Sequence, residues 1–195
     1  PNFAEEVSRN MPTATLIASN KIATSKKIAS IVQTKLFRPY ISEDVIGSQI
    51  AGATKNVYAI ACGVVEGKKF GKNAVASIIS RSFAEVSRLN KSMRAKPETL
   101  SGLSGMGDLF LTCSSKKSRN FKLGLDLANG MSLSSIVNKN ASIAEGVFTT
   151  RALKQMSLKK KLSLPIAETV YQILYRKKNI DHAIKELLNR PIGRE

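Results

Sequence analysis

Residues 45–65 read VIGSQIAGATKNVYAIACGVV and carry one formal charge, Lys55. Ile46, Ile50, Ala53, Val57, Ile60 and Val64 recur at intervals of four and three residues, the spacing that keeps apolar side chains on one face of an α-helix. At about 100° per residue, Lys55 stands roughly opposite that stripe. Its own side carries Ser48, Ala51, Ala59 and Cys62, all small. A helix without a polar face is buried on every side, so the pattern predicts a central helix with its lysine in a tight cleft. A surface lysine with small neighbours is the other reading. A membrane span would fit the length, but a charge at its centre is costly, and amphipathic helices follow.

Outward from this stretch, every later periodic segment reads as helix. Residues 73–93 place Ala74, Ile78, Val86 and Leu89 inward, with an Arg81–Glu85 pair four apart. Residues 118–129 end at Gly130, a suitable residue just past a helix C-terminus. Residues 143–158 open with Ser142 and Glu145 in a capping-box spacing. Pro165 suits the first turn of a helix over 166–177. Residues 180–189 carry Ile180, Ala183, Ile184 and Leu187 on one stripe. The short basic run 159–161 reads as a solvated turn.

Before residue 43 the pattern changes. Residues 13–19 (TATLIAS) and 36–41 (LFRPYI) are β-like. Between them residues 22–35 read as a helix with Ile28, Ile31 and Val32 on one face. Pro39 suits an edge strand. Two strands and a helix cannot bury both faces of a sheet, so residues 1–42 read as the end of a larger unit.

Composition narrows the function. With 43% hydrophobic residues over 195 positions the chain is not intrinsically disordered. Two cysteines distant in sequence, Cys62 and Cys113, and one histidine, His182, make neither a disulfide scaffold nor an ordinary zinc site. They fit a reducing, cytoplasmic compartment, and no signal peptide is expected at Pro1. A net charge of +17 makes an anionic partner a live option. The basic residues are scattered, aromatics are 6% and Trp is absent, so base-stacking platforms are scarce and nucleic acid is not expected. A Lys-rich surface, a site for small anions and a basic helical interaction domain for an acidic partner are the readings left.

Three local patterns bear on chemistry. Ser101-Gly-Leu-Ser-Gly-Met-Gly-Asp108 has the order G-x-x-G-x-G and follows no strand, so it is no dinucleotide fingerprint. It sets Asp108 at a helix start, as a simple cap or as a functional carboxylate. Ser118-Arg119-Asn120 brings a hydroxyl, a guanidinium and an amide to another helix start, after Lys116 and Lys117. That suits a phosphate, and it equally suits a capped helix with a surface arginine. Glu145 is explained by its capping box, and His182 beside Asp181 reads as a surface residue.

The blocks Pro1-Asn-Phe-Ala4 with Glu6, Asp44 with Gly47, Gly52-Ala-Thr-Lys-Asn56, Gly71-Lys-Asn-Ala74, Thr99 through Asp108, Leu111-Thr-Cys113, Ser118-Arg-Asn120 and Glu145-Gly146 occur in order. Together they resemble the C-terminal part of bacterial NAD(P)-dependent glycerol-3-phosphate dehydrogenase. The resemblance implies a mainly α fold: an all-helical substrate domain of the 6-phosphogluconate dehydrogenase C-terminal type over residues 43–195. Residues 1–42 would be a remnant strand–helix–strand of a Rossmann domain. It implies Lys55 as the catalytic lysine. Asn2, Lys55, Asp108, Ser118, Arg119 and Asn120 would meet the substrate, and Ala4, Arg119, Ile143 and Glu145 the cofactor. Asn2 stands where Ser or Thr is usual. The implied reaction interconverts dihydroxyacetone phosphate and sn-glycerol 3-phosphate with NAD or NADP, needs no metal and supplies glycerophospholipid synthesis. A homodimer stays open. The family's glycine-rich loop and its second substrate-binding lysine would precede Pro1, so the 195 residues alone are expected to be inactive.

Overall fold

A computed structural model gives the structure of residues 1–139 and 144–191. Its only strands among these residues are β1 (Thr13–Ala18) and β2 (Phe37–Ser42). They run parallel, with Thr13 opposite Phe37 and Ala18 opposite Ser42. The helix α2 (Ile22–Val32) makes the crossover between them, as parallel strands require. A short α1 (Ala4–Ser8) precedes β1.

The α2 face differs from the reading of its sequence. Ile31 is 72% exposed, Ile28 and Val32 are also exposed, and the fully buried residue is Ser25. Two strands are too narrow a surface to cover the apolar side of a three-turn helix.

The chain turns helical after Ser42. α3 (Val45–Gly67) is the axis of the molecule, and Asn56 through Val65 are buried without interruption. Around it lie α4 (Gly71–Ser92), α6 (Asp108–Ser114), α7 (Arg119–Ala128), α9 (Glu145–Lys160) and α10 (Pro165–Arg176). α5 (Pro97–Ser101) and a π-helical turn (Leu103–Gly107) lead into α6. α8 (Leu133–Lys139) follows α7, and α11 (Ile180–Leu188) packs on α10. The stripe on α3 is buried from its middle onward, whereas Ile46 at its start is half exposed.

α3 and α7 cross at unusually short range. A Cβ on Gly63 would lie 1.9 Å from the Phe121 carbonyl oxygen, and one on Gly124 would lie 2.0 Å from that of Ile60. Only paired glycines allow the two backbones this approach. The crossing brings the first turn of α7 beside the middle of α3, where Lys55 and Asn56 stand.

Local signals set several helix ends. Pro165 opens α10, and Gly130, at φ +90°, closes α7. Lys159 and Lys160 complete the last turn of α9, where cations oppose the helix dipole, and Lys161 closes it in the left-handed conformation. The capping box at 142–145 is not the device that starts α9. Its N-cap is Ala144 and Glu145 is the first helical residue, so the glutamate sits too early to reach back to the cap. Ser142 and Ile143 lie outside the described residues.

Glu85 is buried and turned inward. Its oxygens accept from the backbone N–H of Ile166 (2.6 Å) and Ala167 (3.2 Å) and from the Tyr58 hydroxyl (3.2 Å). It thus caps α10 from α4, since Leu164 has no capping side chain. Burial raises its carboxyl, against the pull of the two N–H groups, Tyr58 and Arg88.

Candidate active site

Lys55 projects from the middle of α3 toward the start of α6. Its Nζ meets Asp108 Oδ2 at 2.5 Å, and the two side chains are 24% and 15% exposed. Asp108 is the first residue of α6, which continues directly from the π-helical turn, the Asp108 N–H donating to the Leu103 carbonyl. The lysine is therefore partly buried against a carboxylate, and its cation is neither fully solvated nor left without a counter-charge.

The next residue, Asn56, enters a separate network. Asn120 Nδ2 donates to Asn56 Oδ1 at 3.0 Å, and Asn56 Nδ2 donates to Glu145 Oε2 at 3.3 Å. Asn120 Oδ1 accepts from the Gly146 N–H at 2.8 Å. Three helices are joined here: α3 through Asn56, the start of α7 through Asn120, and the start of α9 through Glu145 and Gly146. Both amides are buried. Asn56 belongs to the Gly52–Asn56 block of the sequence. Its one visible signal is an amide in an otherwise apolar run.

Ser118 caps α7, its Oγ accepting from the Phe121 N–H at 3.3 Å. Arg119, the first residue of α7, is 63% exposed, and its guanidinium stands 3.6 Å from Glu145 Oε1. The starts of α7 and α9 thus meet, with Arg119 paired to Glu145, and Asn56, the chain neighbour of Lys55, is bonded to both. Such an arrangement attracts a phosphate or another anion.

Asn2 donates to Thr15 Oγ1 at 3.2 Å and so lies against β1, with Ala4 opening α1. Glu6 of α1 accepts from Lys117, just before α7, at 2.9 Å. Ile143 lies outside the described residues. His182 is exposed, with Nε2 3.2 Å from Glu186 Oε1.

Cys62 and Cys113 are distant only in sequence. α3 and α6 bring the two fully buried side chains together, and the neighbouring thiol and burial push the Cys113 thiol up. Among the described residues no group of three or more His, Cys, Asp or Glu could hold a metal ion. None of the described helices is long and apolar enough to cross a membrane.

The family model for the NAD-dependent glycerol-3-phosphate dehydrogenase C-terminus matches residues 44–185. The chain belongs to that family. Glycerol-3-phosphate dehydrogenase [NAD(P)+] of Parvibaculum lavamentivorans is 45% identical over the whole chain and that of Caulobacter vibrioides 46%. The chain spans 59% of the length of each. The crystal structure of glycerol-3-phosphate dehydrogenase from Coxiella burnetii matches 97% of the chain with a TM-score of 0.94 and 37% identity, over 58% of that protein. The yeast glycerol-3-phosphate dehydrogenase matches with a TM-score of 0.83 and 27% identity, over 57% of its length. The mainly α fold expected from the sequence is the fold of the matching part of these dehydrogenases.

Within this family the dinucleotide is the group to test against the described residues. A pyrophosphate cradle needs a glycine-rich turn between a strand and a helix. The turn after β1 is Ser19-Asn20-Lys21, and that after β2 is Glu43-Asp44. Neither contains glycine, so neither turn among the described residues forms such a cradle.

Proposed function

We propose that the gene product containing this chain interconverts dihydroxyacetone phosphate and sn-glycerol 3-phosphate, with Lys55 moving the proton. One observation carries the reading: Lys55 is paired with Asp108, and its neighbour in α3, Asn56, is bonded to the starts of α7 and α9, where Arg119 meets Glu145. A phosphorylated ketone has two groups to hold, a dianion and a polarisable carbonyl, and this site has a place for each. The phosphate would rest on Arg119 and the N–H groups of the α7 start, which Ser118 orders. The carbonyl oxygen would face Lys55 Nζ.

The nicotinamide of NAD or NADP, held outside these residues, supplies or takes the hydride. In reduction, Lys55 gives its proton to the oxygen as the C–O double bond becomes single, and water returns a proton to the amine. In oxidation, the neutral amine accepts the hydroxyl proton. Asp108 holds the ammonium in place. Asn56 and Asn120 set Glu145 at the cofactor side, since both ends of the Asn120 amide are occupied by protein groups.

Residues 1–42 are read as the end of a cofactor domain and residues 43–195 as the substrate domain, with Asn2 and Ala4 at the seam. The free thiols of Cys62 and Cys113 fit a reducing cytoplasm.

The test is NADH or NADPH oxidation driven by dihydroxyacetone phosphate, with the gene product and with the 195-residue chain side by side. The first should turn over. The second should not, and calorimetry should show little or no binding of NADH to it. Turnover by the 195 residues alone would overturn the assignment of the cofactor cradle. Absence of turnover by the gene product would overturn the function.

A further inference from the structure

Two pieces of chain build the Lys55–Asp108 pair, and both set out from one carboxylate. α3 leads from Asp44 to Lys55. The segment 96–108 runs beside it through α5 and the π-helical turn to Asp108. The two pack together: Leu100 and Gly105 of the segment line a small void with Ala51 and Thr54 of α3 and Val86 of α4.

At the far end from Lys55 lies Asp44, which is 8% exposed. Its Oδ1 accepts from the Gly47 N–H of α3 at 2.9 Å. Its Oδ2 accepts from the Lys96 N–H at 2.8 Å. The carboxylate folds so closely over the helix start that a Cβ on residue 47 would lie 2.2 Å from Oδ2.

A helix cap needs only the first of these bonds, and Ser, Thr or Asn would supply it. The second oxygen does something else: it ties α3 to the segment that carries Asp108. We propose that Asp44 is a positioning residue for the Lys55–Asp108 pair, fixing the register of segment 96–108 along α3. Burial alone would raise the Asp44 carboxyl, but hydrogen bonding, chiefly from the Gly47 N–H, and the Lys96 charge outweigh that and hold it below the usual carboxylate range. It is ionised at neutral pH and both oxygens are free to accept. The proposal rests on the dehydrogenase reading above.

Asp44→Asn separates the two tasks. Asn caps a helix as well as Asp, but it has one acceptor oxygen, so either Gly47 or Lys96 loses its partner. The experiment is steady-state reduction of dihydroxyacetone phosphate by the gene product as wild type, Asp44→Asn, Asp108→Asn and the double variant. Asp44→Asn should lower kcat about 10- to 100-fold, the scale of an ångström of misplacement at a reacting group, and leave the KM for NADH unchanged. In the Asp108→Asn background the same substitution should change kcat less than about twofold, because the carboxylate it positions is gone. Equal factors in both backgrounds would show a general structural role and overturn the proposal, as would a wild-type kcat in Asp44→Asn. If Asp44→Asn does not fold, Asp44→Ser carries the same comparison, since serine caps α3 and is too short to serve Lys96. An inactive wild type would instead sink the dehydrogenase reading, and this proposal with it.

Discussion

Replacing Gly124 by alanine should loosen the whole helical domain. The new Cβ would lie 2.0 Å from the Ile60 carbonyl oxygen and 2.9 Å from the Val64 nitrogen. Ordinary contact begins near 3.4 Å, so α3 and α7 would have to part by about 1.4 Å, a gap that forfeits about half or more of each dispersion contact across it. No side chain can swing aside, because both obstructing atoms belong to helix backbone. Ile60, Phe121, Leu123 and Leu127, all buried, would lose packing together. Overpacking costs about 1–3 kcal/mol, with the upper end fitting a backbone clash. Alanine recovers about 1 kcal/mol through helix propensity. The expected net loss is about 2 kcal/mol, roughly 30-fold in the folding equilibrium. Urea unfolding followed by far-UV circular dichroism measures it. Gly52→Ala is the control, because nothing lies within 4 Å of its Cβ, and it should unfold at no lower urea than wild type. The reasoning fails if Gly124→Ala also keeps the wild-type midpoint.

Lys55→Ala should lower turnover of the gene product by roughly 10²–10⁴ with its helical spectrum intact, the range for losing a general acid. Lys55→Arg should fail as well, because a guanidinium does not release a proton near neutral pH; a variant keeping more than about a tenth of wild-type kcat would remove Lys55 from the proton transfer. Asp44 has a lowered folded pKa, so its stabilisation is complete above its unfolded value of about 4 and is lost as pH falls through the folded one. Asp44→Ala should therefore cost about 0.5–2 kcal/mol at neutral pH and flatten the acid limb of a stability–pH curve; an unchanged limb would contradict this. Glu85 has a raised folded pKa, so wild-type stability should fall as pH rises from about 4.3 through that value. Glu85→Ala should remove this dependence and cost about 1–3 kcal/mol by leaving the Ile166 and Ala167 N–H groups without an acceptor; a melting temperature equal to wild type would refute the remote cap.

What the sequence determined by itself was the local part. The intervals of three and four in residues 45–65 specify α3, Pro165 opens α10, Gly130 closes α7, and the β-like runs pair as two strands around a helix. These depend on neighbours within a turn or two, so a linear reading contains them. α1, α5 and α8 escaped it because five to seven residues show too little of a helical period. The exposed face of α2 escaped it because burial depends on how wide the opposing sheet is. The site was legible as a set of residue types in blocks, Lys55, Asp108, Ser118-Arg119-Asn120 and Glu145, but their partners were not. Asn56 meets Asn120, Cys62 meets Cys113, Glu85 caps α10 and Asp44 holds Lys96 across dozens of residues. Those meetings are set by the angle and closeness at which α3 is crossed by its neighbours. Helix crossings are products of side-chain packing over the whole core, and no local stretch of sequence encodes them.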